Sequence, residues 1–265
     1  MTEIPMIPYN PLTGPSSADH FPYEFENMPV RIRLAGVIAA LPLYFLLLAN
    51  VLMPKPMMYL FRLFGITDTT HQTIFYNLAF QIIMLILLLI LFRSFLYQSF
   101  RDLVKRGPAN FFKWWSLGYV CFFAANIAAS VITVFINGTE SQSANQQLVE
   151  IMAGADPSSM VIIGVILAPI VEELVFRGII FRTIRPAGRI AAIIVSASAF
   201  GFTHVAASVA AGNIHELILV IPYIAMGLSL SILYEMRRNI LLPICVHMTQ
   251  NALSFLILLL LGSYL

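Results

Sequence analysis

Charged side chains are scarce in this sequence. Asp, Glu, Lys and Arg together form 11% of the 265 residues, against about 25% in a typical soluble domain. Apolar residues form 59%, and the mean hydropathy is +0.86. A soluble chain of this length could not hide so much apolar surface in one core. The composition therefore excludes a soluble globular protein and predicts an integral membrane protein.

Cysteine and N-terminal basic residues are scarce too. The two cysteines, Cys121 and Cys245, lie within apolar runs, which argues against a disulfide framework and favours two buried thiols. Residues 1–31 form a Pro-rich tail, whose first 29 residues contain six prolines and no lysine or arginine. A secretory signal needs a basic segment followed by a short apolar one, so the tail is not predicted to be a signal.

Long apolar runs are abundant, and they predict an all-α, polytopic transmembrane helix bundle. A spanning helix needs about 20 mostly apolar residues. Seven segments meet this requirement, of which the fifth is the least apolar: 33–53, 73–97, 112–136, 159–181, 190–210, 216–236 and 239–262. They divide the chain into N-terminal transmembrane helices at 32–136, an extracytoplasmic linker at 137–158 and a second transmembrane region at 159–265. A short interfacial helix over Gln146–Met152 is compatible with the linker.

Basic residues alternate between the predicted loops. They cluster before the first span and in the loops between spans two and three, four and five, and six and seven, whereas the intervening loops hold few. Loop lysines and arginines favour the cytoplasm, so the N-terminus is predicted to be cytoplasmic and the C-terminus to lie outside. Seven spans satisfy this alternation. The clusters are Arg31 and Arg33; Arg101, Lys105 and Arg106; Arg182, Arg185 and Arg189; and Arg237 and Arg238.

Ionisable residues near the centres of the predicted spans are confined to three helices. The fourth carries Glu172, Glu173 and Arg177, the fifth carries His204, and the seventh carries His247. Each such group costs about 2.5–3.5 kcal/mol at the bilayer centre on insertion scales, and it marks a functional site by default. We expect these side chains to converge on one polar pocket inside the bundle.

Helical periodicity gives the two adjacent glutamates different surroundings. Glu173 and Arg177 are four residues apart with the acid first, the favourable order for an ion pair, and they are predicted to be structural or substrate-orienting groups. Glu172 lies about 100° around the helix from Glu173, and it is left without an intrahelical cation. His247 and Asn251 are also four apart and share a helix face.

Two chemistries are open for this residue set. One carboxylate and two imidazoles suit zinc with an open position for water, which makes Glu172, His204 and His247 candidate metal ligands. The same three side chains could instead hold a water by hydrogen bonds, with Glu172 as the general base. Asn251 could fix that water or donate to a developing oxyanion. The structural alternative is that the histidines and Asn251 are interhelical hydrogen-bonding groups.

Other catalytic signatures are missing from the sequence, which has no H-E-x-x-H, P-loop or G-x-S-x-G motif. Three motifs are present in order: E-E-x-x-x-R at 172–177, F-x-x-x-H at 200–204 and H-x-x-x-N at 247–251. In this order and at these separations they resemble the CPBP family, the CAAX-prenyl proteases and bacteriocin-processing enzymes also called the Abi family. The likeness covers roughly residues 159–256, so region 159–265 is predicted to be the catalytic one.

The resemblance implies an all-helical membrane fold and endopeptidase activity, with Glu172 as the catalytic glutamate. It places His204, His247 and Asn251 at the positions that hold the catalytic water or a metal. Glu173 and Arg177 match the second glutamate and the arginine of the first motif, whose roles stay open. Zinc is a candidate cofactor, and a metal-free site is the alternative.

The substrate implied by the resemblance is a peptide or protein, either lipidated or membrane-inserted. Eukaryotic-type members trim prenylated C-termini, and bacterial relatives are linked to bacteriocin maturation and immunity. A bacterial cell membrane is the expected location, with the lipid bilayer as partner and no nucleic acid. Two other functions remain open, a non-catalytic immunity or partner-binding protein and a proton-coupled transporter. The second is disfavoured because no pair of Gly/Pro-interrupted spans occurs in matching halves.

Overall fold

The computed structural model describes residues 28–48, 54–138 and 142–261, so nearly all of the predicted N-terminal tail lies outside it. The described residues form helices and connecting turns, without a strand. Ten helices are numbered here in chain order. They are α1 Val30–Leu48, α2 Pro54–Leu63, α3 Thr69–Arg106, α4 Pro108–Asn137, α5 Ala144–Ala155, α6 Pro157–Ala187, α7 Arg189–Thr203, α8 Ala206–Ala210, α9 Glu216–Arg237 and α10 Leu241–Leu261.

Six of these helices are long and apolar enough to cross a membrane: α1, α3, α4, α6, α9 and α10. The predicted helical membrane bundle is confirmed. The predicted fifth span, 190–210, is divided between α7 and the short α8. The 15 residues of α7 reach about 22 Å, less than the roughly 30 Å of bilayer hydrocarbon. The number of spans and the cytoplasmic N-terminus stay predictions.

The side chain of His204 explains why α7 ends early. Its Nδ1 lies 2.9 Å from the carbonyl oxygen of Phe200, the oxygen to which the backbone N–H of residue 204 would bond in a continuing α-helix. That N–H instead donates to Gly201, and the N–H of Val205 donates to Phe202. The last turn is thereby tightened, as is common at helix ends, and α8 begins as a separate helix.

Other helix boundaries follow from capping residues. The carboxylates of Asp68 and Asp156 accept hydrogen bonds from the backbone N–H groups of His71 and Ser159, at the starts of α3 and α6. Ser143 caps α5 in the same way. A helix is therefore present where the sequence allowed one over Gln146–Met152, within the longer Ala144–Ala155, and its interfacial location stays a prediction. Helix α2 was not predicted.

Helix α6 lies at the centre of the bundle. In its most apolar 18-residue window 44% of the residues are buried, against 17% in α4. The largest apolar core joins α6 to α1, α3, α7, α9 and α10. Large apolar side chains also cover much of the outer surface of the spans, which suits a lipid environment. The ionisable residues of α6 are thus held in the interior of the protein.

Helices α7 and α9 approach each other closely because glycines stand at their contacts. A Cβ atom on Gly227 would lie 2.9 Å from the backbone of Ala197, and one on Gly201 would lie 2.9 Å from the backbone nitrogen of Ile224. This packing brings the carbonyl of Gly227 and the ring of Tyr223 next to the residues of the predicted site.

Candidate active site

The two adjacent glutamates sit in a distorted part of α6. Residues Ala168–Glu173 form an ordinary α-helical stretch between two π-helical stretches, Val161–Leu167 and Leu174–Phe181. Pro169 has no N–H to donate to the preceding turn, which is consistent with a wider turn before it. Such widened turns occur frequently at functional sites. Glu172 and Glu173 therefore project from a locally irregular helix, while their relative rotation stays that of an α-helix.

Glu173 and Arg177 form a fully buried ion pair, as the sequence predicted. The Nη1 of Arg177 donates to the Oε1 of Glu173 at 2.7 Å, and both side chains are 0% exposed. The Nη2 of Arg177 donates to the carbonyl oxygen of Gly227 at 2.8 Å, and the guanidinium lies over the ring of Phe200, 5.0 Å from its centroid. A buried charge is tolerable only when paired and hydrogen-bonded, and this arginine is held by α6, α7 and α9.

His247 lies between the two glutamates. Its Nδ1 is 3.2 Å from the Oε1 of Glu173, and its Nε2 is 3.8 Å from the Oε2 of Glu172. Because a carboxylate oxygen can only accept, the Nδ1 carries the proton when Glu173 is ionised. In the neutral ring the lone pair is then on Nε2, the nitrogen that faces Glu172. Glu173 thus orients His247 and selects its tautomer.

The backbone orients His204 so that its proton, like that of His247, is on Nδ1. Its Nδ1 lies 2.9 Å from the carbonyl oxygen of Phe200, which accepts and cannot donate, so this nitrogen also carries the proton and Nε2 has the lone pair. The ring stacks on Tyr223, with a centroid distance of 4.4 Å and an interplanar angle of 18°. The Tyr223 hydroxyl in turn lies 2.6 Å from the Ser143 hydroxyl, at the start of α5.

One cavity of about 520 Å³ brings the predicted site residues together. Glu172, His204, His247 and Asn251 all line it, whereas Glu173 and Arg177 do not. The predicted convergence of ionisable residues on one polar pocket therefore holds for Glu172, His204 and His247, whereas the buried ion pair does not line the cavity. The Asn251 amide donates one hydrogen bond to the carbonyl of Gly164, at 2.8 Å. Its second N–H and its oxygen make no hydrogen bond to the residues that the structure describes.

The residue types at the site are common zinc ligands, but their positions in the structure do not form a metal site. Two neutral imidazoles held through Nδ1 and one carboxylate are common zinc ligands. Among the residues that the structure describes, however, no three His, Cys, Asp or Glu side chains lie close enough together to hold a metal ion. Glu172, His204 and His247 line one cavity without forming a metal site in the positions observed.

Two further contributors were missed at the level of sequence. Tyr223, which stacks on His204, lies in a span that contains no ionisable residue near its centre, and Ser143 lies in the linker. A signal for Tyr223 was the preceding Pro222, an internal helix proline of the kind that kinks helices. Nothing in the sequence pointed to Ser143, because its proximity depends on how α5 docks onto α9.

A known protein family and two curated proteins match the part of the chain that contains this site. Residues 154–253 match the family model described as type II CAAX prenyl endopeptidase Rce1-like. The "Putative membrane peptidase YdiL" of Bacillus subtilis is 26% identical over 214 residues, which cover 78% of this chain and 83% of that protein. The "Membrane-embedded CAAX protease MroQ" of Staphylococcus aureus is 27% identical over 151 residues, 56% of this chain and 58% of that protein.

No solved structure matches the chain. The family match covers α6, α7 and α9 and reaches Asn251 in α10, so it contains every residue of the three motifs. The two relatives support an integral membrane protein with peptidase activity. Residues 154–253 therefore form a domain of the Rce1-like CAAX prenyl endopeptidase family, which confirms the resemblance inferred from the three motifs.

Proposed function

We propose that the protein is an intramembrane endopeptidase in which Glu172 activates a water for attack on a peptide bond. The proposal rests on which residues line the cavity. Glu172 is the single acidic residue among the described residues that line the cavity, and the two site histidines and Asn251 line the same cavity. Its side chain is 15% exposed, whereas that of Glu173 is 0% exposed. The acid that is free of the ion pair is the one that can reach a substrate.

The geometry suits a hydrolysis in which protein side chains handle every proton. A water within reach of Glu172 would donate one hydrogen bond to its carboxylate and another to the Nε2 of His247 or His204. As the water oxygen attacks the carbonyl carbon, Glu172 takes its proton. The carbonyl oxygen gains negative charge, which the free N–H of Asn251 would stabilise. When the C–N bond breaks, Glu172 returns the proton to the departing amine.

Glu173 and Arg177 are proposed to position His247 rather than to contact the substrate. Both are fully buried and do not line the cavity. The arginine donates to Glu173 and fixes its position, and the Oε1 of Glu173 lies within hydrogen-bond distance of the Nδ1 of His247. The same arrangement of a carboxylate behind a histidine orients rings in many catalytic and metal sites.

Zinc is a candidate cofactor of this site, and the metal content of the purified protein tests whether it is bound. The candidate ligands are Glu172, His204 and His247, and zinc bound there would polarise the substrate and the attacking water. Purified protein should be compared with the His204→Ala/His247→Ala double variant for bound zinc and for cleavage. Stoichiometric zinc that disappears in the variant, together with activity, would establish a metalloprotease. Cleavage by metal-free protein would establish the glutamate-dependent route.

The proposed substrate is a peptide or protein that is lipidated or inserted in the membrane, and the proposed location is a bacterial cell membrane. Support comes from the spanning helices around the cavity and from the two bacterial relatives, one of which is named as a CAAX protease. A non-catalytic immunity or partner-binding role would be favoured if toxin protection persisted in Glu172→Ala. Ion flux in proteoliposomes that requires Glu172 would favour a transporter instead.

Replacement of Glu172 tests the proposal directly. We expect Glu172→Ala and Glu172→Gln to lose more than about 100-fold in kcat, because general-base catalysis typically contributes 10²- to 10⁴-fold. Cleavage is measured by mass spectrometry of a peptide library, with unfolding in detergent as the control for folding. Glu235→Gln is the matched control, since Glu235 pairs with Arg185 and does not line the cavity. Near-normal cleavage by Glu172→Ala would overturn the proposal.

A further inference from the structure

Among the described residues, two tyrosines line the cavity, and their hydroxyls differ in hydrogen bonding. The hydroxyl of Tyr223 lies 2.6 Å from that of Ser143. The hydroxyl of Tyr44, in α1, makes no hydrogen bond to the residues that the structure describes, and it is not among their sealed polar atoms without a partner. Buried hydroxyls usually have a partner. The Tyr44 hydroxyl therefore opens onto the cavity and is available to a bound molecule.

The ring of Tyr44 is held beside the turn of α6 that carries Glu172. It packs edge-to-face on Phe176, with the ring centroids 6.0 Å apart and an interplanar angle of 88°, and its centroid lies 5.6 Å from that of Phe80 in α3. Phe176 follows Glu172 by four residues, about one helical turn. Tyr44 is only 3% exposed. Because such aromatic contacts stabilise one position of a ring, the hydroxyl is in place before a substrate binds.

Tyr44 and Glu172 present a hydrogen-bond donor and an acceptor to the same cavity. The phenol and the carboxylate are close enough to interact electrostatically, but no hydrogen bond joins them in the described part of the chain. A phenol is protonated at neutral pH and can donate, whereas an ionised carboxylate can only accept. The two side chains can therefore act on different atoms of one bound molecule, with the phenol on an acceptor and the carboxylate on a donor.

The cavity offers uncharged donors rather than basic side chains to a substrate. Among the described residues that line it there is no lysine or arginine. The guanidinium of Arg177 is fully buried and donates to Glu173 and Gly227. When negative charge develops on a carbonyl oxygen in the cavity, the protein's own stabilising groups are therefore mainly uncharged hydrogen-bond donors. Asn251 supplies one such donor, and Tyr44 is placed to supply another.

We propose that Tyr44 is a further catalytic residue, whose hydroxyl donates a hydrogen bond to the carbonyl oxygen of the cleaved peptide bond. As the water activated by Glu172 attacks, this oxygen becomes negative and the hydrogen bond strengthens, which lowers the energy of the transition state. Tyr44 keeps its proton throughout, so the reaction gains no further proton transfer. The inference rests on the proposed hydrolysis and adds a donor from α1, a helix outside the residues 154–253 that match the family model.

Removal of the hydroxyl alone tests this role. Tyr44→Phe keeps the ring that contacts Phe176 and Phe80. We expect kcat to fall by roughly 10- to 100-fold and KM to change by less than about threefold, because loss of one oxyanion donor typically costs about 10²- to 10³-fold in kcat and Asn251 remains. Tyr97→Phe, on the exposed surface of α3 and outside the cavity, is the matched control and should leave both constants unchanged. A wild-type kcat in Tyr44→Phe would overturn the inference.

Binding of a transition-state analogue gives a readout that a purely structural role of Tyr44 would not change selectively. A phosphinic peptide carries negative charge on tetrahedral oxygens, as the attacked carbonyl does, whereas a substrate peptide has a neutral carbonyl. We expect Tyr44→Phe to bind the phosphinic peptide at least about tenfold more weakly than the wild type, because charge-assisted hydrogen bonds are the stronger ones. Binding of the substrate peptide, measured with Glu172→Gln in both proteins to prevent cleavage, should change by less than about threefold. An equal loss of affinity for both peptides would overturn the inference.

Failure of the inference and failure of the proposed function give different results. If Glu172→Gln is inactive while Tyr44→Phe cleaves as the wild type does, the proposed function stands and the role of Tyr44 is refuted. If Glu172→Gln cleaves normally, the proposed function fails and the role of Tyr44 fails with it. If the wild type cleaves no peptide offered, binding of the phosphinic peptide is decisive. Equal binding to wild type and Tyr44→Phe, or binding to neither, then refutes the inference.

Discussion

At the scale of the residue, Glu172 and Glu173 are chemically identical and occupy opposite surroundings. Glu173 is completely buried with a bonded cation, and Glu172 opens onto the cavity. One step of helical rotation separates the two environments. Motif spacing identified which acid would be paired, because Arg177 follows Glu173 by four residues. The orientation of His247 by Glu173 could not be predicted, since it depends on how α10 packs against α6.

Arg177 provides the stability test at this scale. Arg177→Ala should lower the free energy of unfolding by about 3–5 kcal/mol, because it leaves the Glu173 carboxylate buried without its cation. Unfolding is followed in detergent by circular dichroism. Arg177→Lys keeps the charge but not the fork that contacts Glu173 and Gly227 together, so its loss should be smaller. Wild-type stability in Arg177→Ala would show that the ion pair has no structural role.

At the scale of the element, the packing of α7 against α9 fixes the relative positions of His204, Tyr223 and Arg177. We expect Gly227→Ala to destabilise the protein by about 1–3 kcal/mol, the usual result of overpacking, because its Cβ would lie 2.9 Å from the backbone of Ala197. Gly154→Ala is the control in α5, where nothing lies within 4 Å of the added atom. Thermal unfolding compares the two variants, and equal midpoints would contradict the close-packing argument.

The start of α6 carries a pH-dependent contribution to stability. The side chain and the backbone N–H of Ser159 hold the pKa of the Asp156 carboxyl below its usual value. A lowered folded-state pKa means that the stabilisation is present above the unfolded-state value, about 3.9, and is lost as the pH falls through the folded-state value. Asp156→Asn can cap the helix without titrating. The thermal unfolding midpoint of this variant should therefore fall less than that of the wild type between pH 7 and pH 3. An equal fall in both proteins would refute the role of the Asp156 carboxyl.

At the scale of the whole molecule, the alternating basic loops predict the direction in which the bundle crosses the membrane. The end of α3 at Lys105 should be cytoplasmic, and the loop at Asn213 should be external. In a background without Cys121 and Cys245, single cysteines at these two positions are exposed to an impermeant maleimide in intact cells. We expect Asn213→Cys to be labelled at once and Lys105→Cys to be labelled only after lysis. The reverse pattern would overturn the predicted topology.

The sequence by itself determined the membrane environment, the helical class and the family, because hydropathy and motif spacing are local properties of the chain. It also paired Glu173 with Arg177, since both lie on one helix. Only the tertiary structure could show the features that depend on contacts between helices. It showed that His204 ends α7 short of a full span, that Tyr223 and Ser143 reach the site, and that Tyr44 of α1 lines the same cavity. These residues are far apart in the chain, and only the packing of the helices brings them together.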